Sequence, residues 1–223
     1  MSVWAVLVAA GRGERLGEER PKAFARLGAL PLLAEPLRRL DESEWIDGVV
    51  VVAPAEWEEP AILVAEEIGA SKVAACVTGG ATRSASVRLG LDEVPVDVDV
   101  VLVHDAARPV LPPELVPRLL DALAEGFDGA VPGLPVADTV KRVRDGVVVE
   151  TPARDELIAV QTPQAFVASV LRAAAAGEGS DCASLVEAAG GRVKVVQGDE
   201  RLLKVTTPDD LRRVETWLGP TQE

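Results

Sequence analysis

Short β-branched apolar runs recur along this chain, each followed by a longer stretch with helical spacing, and that alternation leaves few architectures open. Residues 3–9, 49–53, 73–77, 98–103 and 193–196 are valine-rich runs bounded by Gly, Pro or acidic residues, the pattern of strands buried on both faces. Between and after them, residues 32–40, 61–68, 83–91, 115–123, 166–175 and 211–218 space their apolar side chains as helices do. The combination predicts an α/β fold with a doubly wound, mostly parallel sheet covered on both sides. Such sheets bind ligands beyond the carboxyl ends of their strands, so the segments that follow the strands are the places to look for chemistry. With 223 residues the chain is sized for one domain, expected over residues 1–223.

Two further helix starts are predicted where a hydroxyl precedes a proline, at Thr162-Pro163 and at Thr207-Pro208, the second followed by Asp209 and Asp210. One stretch breaks the alternation. Residues 138–150, D-T-V-K-R-V-R-D-G-V-V-V-E, have period two around Asp145-Gly146, the signature of a hairpin with a tight turn. An isolated two-stranded ribbon is marginal in water. This arm, taken as residues 136–156, is therefore expected to lie on a second copy of the chain in a symmetric homodimer.

Composition narrows the partners. Against 36 acidic residues stand 23 basic ones, a net charge of -13, which disfavours nucleic acid and anionic bilayers. No apolar run approaches the ~20 residues of a membrane span, and the start M-S-V-W-A-V-L-V-A-A-G lacks the basic opening of a secretory leader. A cytoplasmic protein with no nucleic-acid or membrane partner is expected. Cys76, Cys182 and the single histidine, His104, make no His/Cys metal cluster. An anionic small molecule remains open, because a few Lys and Arg in one cleft reverse the local potential.

Three segments could supply that cleft. The first strand runs into A9-A-G-R-G-E-R-L-G-E-E-R-P-K22, where glycines at 11, 13 and 17 admit a polyphosphate to the backbone and Arg12, Arg15, Arg20 and Lys22 supply charge. A P-loop would need Lys after the last glycine, and here Glu18 follows Gly17; a dinucleotide fingerprint would need a helix at the glycines and an acid ending strand two, which instead ends in Ala53-Pro54. The segment reads as a nucleotide phosphate site of another kind. The second, G79-G-A-T-R-S-A-S-V-R-L-G-L91, reads equally as a platform for a flat base or as a glycine turn and capped helix. The third, V101-L-V-H-D-A-A-R-P109, ends a strand in Asp105, suited to sugar hydroxyls or Mg²⁺, and Arg108, suited to a phosphate. His104, beside a buried strand, reads as structural. Asp97 and Asp99 precede their strand and read as a solvated entry.

In order, A-A-G-x-G-x-R-L…P-K, G-G-x-x-R-x-x-S-V-x-x-G-L, V-H-D-A-A-R-P, D-T-V-K, T-P-Q-x-F and K-V-T-x-P-x-D-L closely resemble the 2-C-methyl-D-erythritol 4-phosphate cytidylyltransferases of the non-mevalonate isoprenoid pathway. The resemblance spans nearly the whole chain. It implies a Rossmann-like nucleotidyltransferase domain and a homodimer that joins CTP to methylerythritol phosphate with Mg²⁺, releasing pyrophosphate. By motif position it implies that Arg15 and Lys22 stabilise the pentavalent transition state and that Gly11 and Gly13 line the triphosphate. Ala9, Ala10, Gly80 and Ser86 would border the cytosine. Arg154 and Lys204 would position the attacking phosphate, helped by Asp105, Arg108, Thr139, Thr162 and Ser180, some of them across the dimer. Ala81, Cys182 and Ala23 depart from the family's usual residues without removing a cation. Rival readings are transfer to another polyol phosphate such as ribitol 5-phosphate, an NAD(P) dehydrogenase, and a non-catalytic nucleotide-binding module.

Overall fold

A computed structural model describes residues 1–11, 20–177 and 179–219. Strand β1 (Val3–Val8) is followed, beyond a 3₁₀ turn at Lys22–Phe24, by the small ribbon of β2 (Arg26–Leu27) and β3 (Leu30–Pro31). Then come α1 (Ala34–Glu42), β4 (Gly48–Ala53), α2 (Glu58–Glu67), β5 (Val73–Thr78), α3 (Arg83–Glu93), β6 (Val100–Asp105), α4 (Leu115–Ala124) and β7 (Gly129–Pro135). The second half holds β8 (Arg142–Arg144), β9 (Val147–Glu150), β10 (Ile158–Val160), β11 (Gln164–Val167), α5 (Ala168–Ala174), α6 (Cys182–Ala188), β12 (Val193–Gln197) and α7 (Pro208–Leu218).

The main sheet has eight strands among the described residues. Its parallel centre is β5-β4-β1-β6. β11 runs antiparallel between β6 and β7, β10 continues antiparallel along β7, and β12 pairs parallel to β7. The alternation along β1 explains the two layers of helices. Val3, Ala5 and Leu7 face a core shared with α1, α2 and α4, whereas Val6 faces the core of α3, α5 and α6. Both faces of β1, β4 and β6 are therefore apolar and buried, as a doubly covered parallel sheet requires, whereas β5, expected to be buried on both faces, lies at the edge and is partly exposed. Gly90 shows how closely α3 lies on that sheet: a Cβ there would stand 2.6 Å from Val6 and 2.7 Å from Val52 side-chain carbons.

Three details differ from the sequence expectations. Thr162-Pro163 does not open a helix; a cis peptide there turns the chain from β10 into β11. Phe166 accordingly belongs to β11, where it is fully buried between β6 and β7, and the helix begins at Ala168. β7, β10, β11 and α6 are elements the apolar runs did not announce. By contrast, the Thr207 hydroxyl caps α7 by accepting from the Asp210 N–H, with Pro208 in the first turn.

The hairpin forms as read, with Asp145 at φ 49° and Gly146 at φ 79° in its turn. It pairs with no other described strand, and Val143, Val147, Val148 and Val149 on it are exposed. Among the described residues no helix is long and apolar enough to cross a membrane.

Candidate active site

Strands β1 and β6 lie side by side, with Val8 opposite Asp105, and their parallel course puts both carboxyl ends on one edge of the sheet. The segments leaving β1, β5 and β6 meet there. Gly79 donates its N–H to Ala53 and Ala106 donates to Val8, so each segment is tied to a neighbouring strand before it turns. Gly79 packs so closely on Ala10 that a Cβ would come within 2.2 Å of the Ala10 methyl carbon. The result is a cavity of about 350 Å³. Its walls include the run from Val8 to Gly11, Lys22, Gly80, Arg83, Ser86, Asp105 and Lys204.

One carboxylate organises the charges. Asp105 Oδ1 accepts from Arg83 Nε at 3.0 Å and from an Arg83 terminal nitrogen at 2.9 Å, while Oδ2 accepts from Lys204 Nζ at 2.6 Å. Burial alone would raise the Asp105 carboxyl; the charges and hydrogen bonds of Arg83 and Lys204 outweigh it and hold the group well below the usual carboxylate range. Arg83 is the first residue of α3, whose N-terminus is capped by the Thr82 hydroxyl. Its remaining terminal nitrogen lies 3.6 Å from the Cys182 sulfur. Lys204 sits on a loop fixed from two sides: Val205 donates to the Ala107 carbonyl at 2.8 Å, and Arg108 donates to the Leu202 carbonyl at 2.5 Å.

The structure thus brings Ala9, Ala10, Gly11, Lys22, Gly80, Ser86, Asp105 and Lys204 to one cavity. Ser86 is buried and already committed, accepting from the Gly80 N–H at 3.1 Å and donating to the Thr82 carbonyl at 2.9 Å. Arg83, a residue the sequence reading gave no role, joins them; its pairing with a carboxylate 22 positions away leaves no spacing signal. Arg108 is turned to the Leu202 carbonyl and is not part of the cavity wall. Thr162 is buried behind Asp105, its hydroxyl accepting from the Asp105 N–H. Ser180 is exposed ahead of α6, which Asp181 caps. Thr139 is exposed at the base of the arm, and Arg154 donates to the Ala137 carbonyl in a separate groove. Arg12, Gly13, Arg15 and Gly17 lie outside the described residues.

His104 is fully buried, and that burial pushes its imidazole down to about 4, against ~6.5 for a free histidine. As pH falls through ~6.5 the unfolded chain takes up a proton that the folded chain refuses until about 4. The contribution of His104 to folding stability therefore drops on acidification across that window, by about 3 kcal/mol, and this contribution levels off below it. The urea midpoint should follow this slope, and His104→Asn should flatten it. Equal slopes in the two proteins would contradict a neutral buried imidazole.

Comparison with known proteins gives one answer. Residues 3–220 match the sequence profile of the 2-C-methyl-D-erythritol 4-phosphate cytidylyltransferase family. The enzyme of that name from Nocardia farcinica is 47% identical over 220 residues, covering 97% of this chain and 94% of the relative. The one from Geobacter metallireducens is 42% identical and covers 98% of each chain. Among solved structures, that of the Thermus thermophilus 2-C-methyl-D-erythritol 4-phosphate cytidylyltransferase superposes with a TM-score of 0.76 at 35% identity, covering 96% of this chain and 97% of the other. The chain is accordingly a nucleotidyltransferase and belongs to the 2-C-methyl-D-erythritol 4-phosphate cytidylyltransferase family.

Proposed function

We propose that the cavity at the ends of β1 and β6 is where this cytidylyltransferase joins CTP to 2-C-methyl-D-erythritol 4-phosphate, giving 4-diphosphocytidyl-2-C-methyl-D-erythritol and pyrophosphate. The observation that carries the reading is the cation set: Lys22, Arg83 and Lys204 line one cavity, and neither histidine nor cysteine is among its described lining residues. The nucleophile explains why that suffices. A phosphate monoester has its second pKa near ~6 and is mostly dianionic at neutral pH, so no general base is needed. The barrier is electrostatic, because a dianion must approach a triphosphate while charge grows on the leaving pyrophosphate.

In this assignment Ala9, Ala10, Gly80 and Ser86 border the cytosine, and Gly11 carries the triphosphate toward Lys22. Arg15, outside the described residues, shares the transition-state charge with Lys22. Lys204, held by Asp105, receives the attacking phosphate. Asp105 is the single carboxylate among the described lining residues, and no group of three or more metal-binding side chains occurs among the described residues. With both Asp105 oxygens engaged by Arg83 and Lys204, this wall fits Mg²⁺ held by the nucleotide's own phosphate oxygens and water rather than by a protein carboxylate. When bound, the ion neutralises phosphate charge.

The arm completes the assignment. Its valines are exposed on their own chain and Thr139 and Arg154 stand away from the cavity, which supports a homodimer in which the arm of residues 136–156 brings them to the partner's acceptor site. The rest of the chain serves as one nucleotidyltransferase domain. Sedimentation should give twice the 23.4 kDa chain mass, and Val143→Asp with Val148→Asp should yield monomers with at least ~10²-fold lower kcat/KM for the acceptor. A fully active wild-type monomer would contradict the dimer.

The reaction itself is tested by pyrophosphate release from CTP and Mg²⁺ with a panel of acceptors. Release with 2-C-methyl-D-erythritol 4-phosphate and little with ribitol 5-phosphate is expected. Preference for ribitol 5-phosphate would overturn the acceptor assignment.

A further inference from the structure

Asp105 ends β6 at a place where the sheet stops supplying backbone partners. Gln164 on β11 pairs with Val103, but two residues earlier the chain has turned at Thr162-Pro163, and the Asp105 N–H is met by the Thr162 hydroxyl at 3.1 Å instead of a carbonyl. The same hydroxyl lies 3.1 Å from His104 Nδ1, and His104 Nε2 lies 3.0 Å from the Arg108 carbonyl. A carbonyl only accepts, so Nε2 carries the ring proton. Buried and neutral, the ring then has a bare Nδ1, which accepts the Thr162 hydroxyl proton while the Thr162 oxygen accepts from Asp105. Each group has one role, and the chain of three bonds runs in one direction, from the Asp105 N–H to the Arg108 carbonyl.

This chain spans the turn that builds the cavity wall. Arg108 also donates its own N–H to the Asp105 carbonyl at 2.9 Å, closing the turn a second time. The Lys204 loop hangs from the turn, through Val205 on Ala107 and Arg108 on Leu202. Neither His104 nor Thr162 is part of the cavity wall.

We infer that His104 and Thr162 are positioning residues, a buried relay that fixes the Asp105–Lys204 pair and so the acceptor-phosphate end of the reaction, without touching substrate. The inference rests on the reading above that Lys204 receives that phosphate. A misplacement of order 1 Å at a reacting group costs roughly 10² in rate, so breaking the relay should be visible in catalysis while CTP binding is spared.

The chain has a single histidine, so a long-range ¹H–¹⁵N spectrum of the imidazole contains one ring. The wild-type protein should show the Nε2–H tautomer at neutral pH, and in Thr162→Val the Nδ1 resonance should move as its donor is lost. An Nδ1–H ring in the wild type would overturn the relay. In steady-state kinetics Thr162→Val should raise KM for the acceptor or lower kcat by roughly tenfold to a hundredfold, with KM for CTP within about twofold, and Thr162→Ser should restore the wild-type values. Equal changes toward both substrates, or none, would overturn the positioning role. Lys204→Ala separates the two levels. If it leaves the acceptor KM and kcat unmoved, the underlying reading fails and the positioning role with it; if it moves them and Thr162→Val does not, only the relay fails.

Discussion

Replacing Lys22 by alanine lowers kcat by about 10²–10³ while moving the melting temperature little. The separation follows from how the segment is held. Lys22 opens the 3₁₀ turn Lys22–Phe24, and the turn is anchored by its neighbours: Ala23 and Phe24 are buried, and Phe24 packs on Trp57 with ring centroids 4.5 Å apart. Leu33 donates to the Ala23 carbonyl at 2.8 Å. These contacts belong to Ala23 and Phe24, and the Lys22 side chain lines the cavity. A preorganised charge aimed at growing negative charge needs no reorganisation during the reaction, which is why its loss is felt in kcat. Lys22→Arg, keeping the charge and changing its geometry, should fall between the two. A Lys22→Ala enzyme within about threefold of the wild-type kcat would remove this residue from the transition state.

Asp105→Ala should damage both the fold and the chemistry. The carboxylate is only 10% exposed and separates two cations, Arg83 at 26% and Lys204 at 41% exposure. Removing it leaves Arg83 half-buried beside another positive charge, at a cost of about 3 kcal/mol, the lower end of the range for breaking a buried pair because Lys204 can turn to solvent. With Lys204 released, acceptor KM should rise by about tenfold or more. Acid should reproduce part of this. The Asp105 carboxyl is held low, so its stabilisation is complete above the ordinary carboxylate pKa, declines as pH falls below that, and is gone once pH has fallen through the depressed value. Chemical denaturation and kinetics on the same preparation check both halves, and an Asp105→Ala protein as stable as wild type would show that the carboxylate does not organise these charges.

Much of this arrangement is legible in the sequence because parallel strands buried on both faces have to be apolar throughout. β1, β4 and β6 stand out as valine runs for that reason, β5 is a shorter apolar run at the half-exposed edge of the sheet, and the site segments follow β1, β5 and β6 directly. β7 does not, because Gly129-Ala-Val-Pro-Gly-Leu-Pro135 carries the residues that strand propensity penalises; its place in the sheet is settled by pairing with β11 and β12. Thr162-Pro163 has the composition of a helix start, and only the partners of the Thr162 hydroxyl, 57 and 58 positions away, reveal its use. Arg83, which has no role in the sequence reading, stands at Asp105, and Arg108, expected at the site, does not line the cavity, for a similar reason. Local pattern places both near a strand end, but which of them reaches Asp105 is decided by α3 packing on the sheet and by the Leu202 carbonyl that takes Arg108.

The central claim is that these clustered cations surround the phosphorus that is attacked, and a crystal structure with CTP and Mg²⁺ tests it most directly. The account predicts cytosine against Ala9, Ala10, Gly80 and Ser86, with the α-phosphate in contact with Lys22 and open on the side of Lys204. A triphosphate bound elsewhere on the molecule, or one whose α-phosphate touches neither lysine, would contradict it.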